Sequence, residues 1–185
     1  PENKRVVNII QHVENNKVEK WELGWRENKI EEVAVIDGVF MVGLRNEKIK
    51  FNSENLKGFH NYDLNFSLEY YKKKYKIVVS KEIILEHFSP GIVDDKWLVS
   101  ALNFDKHYRK LLPIQINKNK EELIDLELKN GSYFCNELLR NGYTKEAFYY
   151  WIKLIILQPT SKTNLHFFKL FKKRIYHKLK YNFKF

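Results

Sequence analysis

The stretch "GFHNYDLNFSLEYYKKKYKIVVS", Gly58 to Ser80, gathers a glycine, two aromatics, a histidine and an aspartate into six residues and then turns helical. Asp63 stands at the mouth of that helix, beside His60 and Tyr62, with Asn65 two residues on. A carboxylate there has two uses. One is a plain N-cap, for which Ser or Asn would serve as well. The other is proton transfer, to which a rigidly held carboxylate beside an imidazole and a phenol is suited. Cys135 is the only cysteine, which excludes an internal disulfide and a zinc site built on thiolates.

The elements that must position these residues can be read from periodicity. "EEVAVIDGVFMVGL" (31–44) reads as two β segments hinged at Asp37-Gly38, rich in Val, Ile and Phe. "LNFSLEYYKKKY" places Leu64, Leu68, Tyr71 and Tyr75 at helical spacing. "KIVVS" and "IILEH" read as short strands. "DDKWLVSALNFDKHYRKLL" reads as a helix capped by Asp94 or Asp95, with Trp97, Ala101, Phe104 and Tyr108 along one face. The two Val33–Leu44 and Lys76–His87 regions are expected to share one sheet, with the helix packed on it. The texture changes near Pro113, after which the pattern is helical to the end. The expectation is an α/β domain over 1–113 and an all-α appendage over 114–185.

Composition bounds the function. The 185 residues are 44% hydrophobic and 30% charged, with a net charge of +10, enough apolar content for a core. No run of about 18 apolar residues is present, so no membrane span is expected. The start "PENKRVVNII" lacks a signal-peptide layout and an initiator Met, which suggests that the sequence begins inside a longer protein. The lone cysteine fits a reducing compartment, so a cytoplasmic location is expected, peripheral at the membrane if the tail meets lipid. From Ala147 onward there are nine Lys or Arg and no Asp or Glu, which leaves 33 − 9 = 24 basic against 23 acidic residues before it. Such a tail either binds phosphates or is a solvated basic face. It carries no nucleic-acid-binding motif, so nucleic acid is not the expected partner.

In the helical part, "ELLRNGYTKEAFYYWIKLIILQP" spaces Gly142, Ala147, Trp151 and Pro159 by 5, 4 and 8 residues. This resembles the latter part of a tetratricopeptide repeat: turn Gly, small crossing residue, aromatic knob, terminating Pro. It departs from the repeat at Gly131, where a Trp belongs, and at Leu154, where a small residue belongs. An ordinary αα-hairpin is the alternative. In "LHFFKLFKKRIYHKLKYNFKF", Phe168, Phe171, Ile175 and Leu179 form a stripe with Lys between them. That helix either caps the helices before it or lies on an anionic membrane.

The order "IDGVFMVGLR … FNSENLKGFHNYDLNFSLEYYKKKYKIVVSKEIILEHFS" resembles the acceptor half of family-2-type glycosyltransferases, which have the glycosyltransferase A fold. The resemblance spans about Val33 to Pro113. It rests on Asp-Gly at a strand end, the loop "GFHNYD" opening a helix, "KYKIVV" with Lys74 in place of a turn Gly, and a closing "EHFS". It implies that Asp63 is the general base on an acceptor hydroxyl. Asp37, Gly38, His60, Tyr62 and Asn65 then face sugar or acceptor, with Asn65 standing where relatives often carry a second acid. His87 matches a residue that in several relatives helps hold the metal or the diphosphate. Trp97 and Trp21 are available to stack on sugar rings, with core packing as their alternative.

The resemblance also implies a divalent ion, Mn²⁺ or Mg²⁺, held by an Asp-x-Asp-like pair in an N-terminal nucleotide-binding half. The Asp94–Asp95 pair lies after the His87 strand, in the wrong place for that role. About 30 residues precede the first matching strand, too few for such a half, and "VVNIIQHVENNKVEKWELGW" holds no Gly-rich phosphate loop. The expectation is therefore the C-terminal portion of a glycosyltransferase A fold, separated from its donor side by truncation, gene fragmentation or natural loss. On its own this chain is expected to bind acceptor at best and no metal. Complete, it transfers a sugar from a nucleotide-sugar to a hydroxyl with inversion. The other reading is a non-catalytic interaction module whose basic helical region docks a protein partner or an anionic membrane surface.

Overall fold

A computed structural model describes residues 5–13, 17–56, 58–89, 93–116 and 119–182, with side chains up to residue 173. The chain divides into two compact units, Pro1–Ile116 and Asn117–Phe185. Among the described residues no helix is long and apolar enough to cross a membrane.

Unit 1 is mixed α/β with two small sheets. β1 (Val7–His12) and β2 (Val18–Leu23) form an antiparallel hairpin, with Val7 opposite Leu23 and His12 opposite Val18. β5 (Leu85–His87) joins the other edge of β1 in parallel, Ile9 opposite Leu85 and Gln11 opposite His87. β3 (Ile30–Glu32) pairs antiparallel with β4 (Val78–Ser80). The parallel pairing is stitched by two buried amides rather than by apolar side chains. Asn8 Nδ2 donates to the Lys81 carbonyl at 2.6 Å, and Gln11 Nε2 donates to the His87 and Ser89 carbonyls at 3.2 Å each.

The strands therefore depart from the single sheet expected. β4 belongs to one sheet and β5 to the other. Residues 33–50 contain no strand, so the two β segments read in 31–44 are not formed beyond Glu32. The cause lies in α1 (Tyr62–Lys72), against which this segment runs. The Ile36 N–H donates to Ser67 Oγ at 3.1 Å and the Gly38 N–H to Asp63 Oδ2 at 3.2 Å. Tyr62 donates to the Gly38 carbonyl at 3.3 Å and Tyr70 to the Leu44 carbonyl at 2.7 Å. Helix side chains thus satisfy backbone groups that a neighbouring strand would otherwise have to satisfy.

Helix α2 (Asp95–Tyr108) is capped by Asp94, whose side chain accepts from the Trp97 N–H at 2.8 Å. Its buried positions are Leu98, Ser100, Phe104 and Tyr108, so the inward stripe is shifted from the expected one at Trp97 and Ala101. Leu56, Leu68, Phe104 and Tyr108 form the core cluster, with Leu64, Leu111 and Ile114 packed on it.

Unit 2, described by itself, contains α3 (Lys120–Arg140), α4 (Thr144–Leu157) and α5 (Lys162–Asn182). A reciprocal capping box between Asn119 and Glu122 starts α3. Gly142, at φ +86°, turns the chain into α4. Cys135 and Ala147, both fully buried, mark where the two helices cross. At Gly131 a Cβ would lie 2.6 Å from Leu154 Cδ2, so the large residue on α4 occupies the space that the small residue on α3 leaves open. Asn164 Nδ2 donates to the Leu154 and Gln158 carbonyls at 3.1 and 2.7 Å and closes the C-terminal end of α4. The buried stripe of α5 is Asn164, Phe167 and Phe171, while Phe168 is 56% exposed. The Ile175 and Leu179 side chains of the expected stripe lie outside the described residues.

Candidate active site at the start of α1

Asn61 adopts the left-handed conformation at φ +61° and occupies the N-cap position of α1, with its side chain turned inward to Ser100 Oγ at 2.8 Å. Asp63 is thus in the first turn and is not the cap. Its Oδ1 accepts from the Leu64 N–H at 2.8 Å, its Oδ2 accepts from the Gly38 N–H, and Ser67 Oγ donates to its carbonyl at 2.9 Å. Each carboxylate oxygen keeps a lone pair for another donor.

Three of the other expected site residues meet Asp63 here. Asp37, exposed, accepts from the Val39 N–H at 3.1 Å. Gly38 is required by close approach rather than by backbone freedom: a Cβ there would stand 2.1 Å from the Tyr62 phenol oxygen. Burial pushes the Asp63 carboxyl above the usual carboxylate range, and the Asp37 charge adds to this, while the Leu64 and Gly38 N–H groups pull it back. The Tyr62 phenol is likewise pushed up, first by burial and then by the charges of Asp63 and Asp37.

His60 faces elsewhere. Its Nε2 lies 3.7 Å from Asp94 Oδ1, on the wall of an open groove of about 890 Å³ between the 58–60 loop and the start of α2. Glu54, Asn55, Phe59 and Asn103 line the same groove, but Asp63 and Asp37 do not. Phe59 is 77% exposed, and its ring centroid is 5.4 Å from that of Tyr62, so these two rings link the groove to the carboxylate.

Asn65 belongs to the interior. It is 1% exposed; its Oδ1 accepts from the Asn52 N–H at 2.9 Å, and its Nδ2 bonds Tyr108 Oη, which in turn donates to Glu69 at 2.8 Å. This side chain ties the 52 loop to both helices. His87 is held in the sheet, with Nδ1 2.8 Å from Gln11 Oε1. Among the described residues no three His, Cys, Asp or Glu side chains converge. Trp21 donates to Glu19 at 3.0 Å, and neither it nor Trp97 lines the groove.

Ser67 and Phe59 escaped the sequence reading. Ser67 had a signal, since it lies four residues after Asp63 and so on the same helix face. Phe59 had none beyond its aromatic type, because its exposure depends on where the loop runs.

A mixed α/β unit with small sheets is consistent with part of a glycosyltransferase fold. Residues 2–112, more than half of the chain, match the model of the glycosyltransferase-like family, and the chain belongs to that family. A glycosyltransferase-like function follows at the family level. No curated protein and no solved structure matches the chain.

Proposed function

We propose that unit 1 is the C-terminal, acceptor-side portion of a glycosyltransferase A fold, and that Asp63 is the general base of an inverting transfer from a nucleotide-sugar. The observation that carries this reading is the placement of Asp63: a half-buried carboxylate fixed by two backbone N–H groups, its pKa raised by desolvation, with lone pairs to spare. In the reaction the acceptor oxygen bonds to the anomeric carbon as the bond from that carbon to the diphosphate oxygen breaks. The hydroxyl proton passes to Asp63, and the bonding electrons leave with the diphosphate. Tyr62, Asp37 and Gly38 frame the reacting hydroxyl, and Phe59 and His60 carry the acceptor into the groove. Asn65 positions the loop and makes no acceptor contact in this scheme. In this scheme a nucleotide-binding half supplies the donor and its metal.

The test is Asp63→Asn in the transferase with its donor side present. Turnover should fall by roughly 100-fold or more, the usual contribution of a positioned base, while the acceptor KM changes little. Near-normal turnover would remove Asp63 from the mechanism and leave Asp37 as the next carboxylate to examine.

A further inference from the structure

Helix α5 has one apolar stripe buried within unit 2 and a second that stays largely exposed, of which Phe168 touches the Trp151 ring at its edge with centroids 6.4 Å apart. Phe167 and Phe171 are buried, and the Phe171 ring packs on Trp151 and Phe148 of α4 with centroids 5.1 and 5.4 Å away. Leu165 and Phe168 are 60% and 56% exposed. Along the helix, Lys162, Leu165, Phe168 and Lys172 recur at offsets of three, three and four, so they share one face, and Lys169 borders it. All of these lysines, with Lys173, are exposed. No acidic residue occurs from Ala147 to the end of the sequence.

We propose that this face of α5 lies on an anionic membrane surface, with Leu165 and Phe168 entering the acyl boundary and the surrounding lysines meeting lipid phosphates. Two features select the partner. It must supply negative charge, because two copies of this face repel one another. It must also supply apolar depth, because Leu165 gains nothing from a hydrated polyanion. A nucleic acid offers the first without the second, whereas an anionic bilayer offers both. The cytoplasmic leaflet carries such charge, and the amphipathic arrangement adds apolar burial to electrostatic attraction.

The experiment is cosedimentation of the 185-residue chain with vesicles of phosphatidylcholine alone and of phosphatidylcholine mixed with phosphatidylglycerol. At low ionic strength the chain should sediment with the mixed vesicles and stay free of the neutral ones. Leu165→Ser with Phe168→Ser should weaken that partitioning by at least about tenfold. Lys169→Glu with Lys172→Glu should do the same through charge, and both of these side chains are exposed. The proposal is overturned by absence of binding to the mixed vesicles. It is equally overturned by equal binding to neutral ones, by full binding in either double variant, or by retention on heparin or duplex DNA without vesicle binding.

Discussion

Asp63 combines a structural and a chemical role, and the two can be separated by pH. Its two oxygens hold the Gly38 and Leu64 N–H groups. An Asn at this position offers one acceptor oxygen in place of two, so Asp63→Asn should lose about 1 kcal/mol from the missing hydrogen bond, independent of pH. The charge acts in the opposite direction. Burial raises the folded-state pKa above the ordinary value of 3.8. The contribution of this carboxyl to stability is therefore fully present below the unfolded pKa and is lost as the pH rises through the raised folded value. The melting temperature of the wild type relative to Asp63→Asn should fall as the pH climbs across that window. A difference that stays flat or grows with pH would show that the carboxylate is not desolvated.

Among the elements, α1 does most to organise unit 1, and its end carries a measurable strain. Lys74 adopts φ +67°, where the Tyr75 N–H donates back to the Tyr70 carbonyl at 3.2 Å and the Lys74 N–H to the Tyr71 carbonyl at 2.9 Å. This is the helix-closing geometry that favours glycine, and it stands where the family resemblance places one. Lys74→Gly should stabilise unit 1 by roughly 0.5–1 kcal/mol, seen as a higher urea midpoint with an unchanged slope. A lower midpoint would mean that the lysine side chain makes contacts that outweigh the strain. In unit 2 the crossing of α3 and α4 encloses Cys135, whose thiol is pushed up to about 12 by burial. It should resist alkylation by iodoacetamide in the folded protein and react promptly in denaturant. Rapid labelling under native conditions would show that the crossing opens. The exchange of sizes at Gly131 and Leu154 explains how a hairpin that departs from the tetratricopeptide pattern at both positions still packs there.

For the whole molecule, the charge is divided as sharply as the fold. Nearly all of the net +10 lies from Ala147 onward, while unit 1 holds the whole of the matched family region. The Asp94–Asp95 pair is not spare for a diphosphate–metal site, because Asp94 caps α2 and lies beside His60. The 185-residue chain should therefore bind UDP or GDP more weakly than about 1 mM, about −4 kcal/mol, with or without Mn²⁺. Calorimetry giving a micromolar dissociation constant would reveal a phosphate site formed by residues other than these.

Local pattern was enough to place the helix at Asp63, the helix that opens at Asp94, and the short strands at Val78–Ser80 and Leu85–His87, because caps, turns and apolar spacing act over a few residues. The family resemblance, rather than local pattern, singled out Asp37, Gly38, Tyr62 and Asp63, which the fold brings together from positions some 25 residues apart. Periodicity had no means of showing that 33–50 would remain strandless. Val, Ile and Phe favour a strand there, but Asp63 and Ser67 accept from its N–H groups and Tyr62 and Tyr70 donate to its carbonyls instead, and those partners are fixed only when α1 is folded against the loop. The pairing of β1 with β5, the inward turn of Asn65 and the locking of His87 onto Gln11 are long-range contacts as well. An amide or an imidazole reads the same in a sequence whether it meets substrate or core, and the tertiary neighbours settle which.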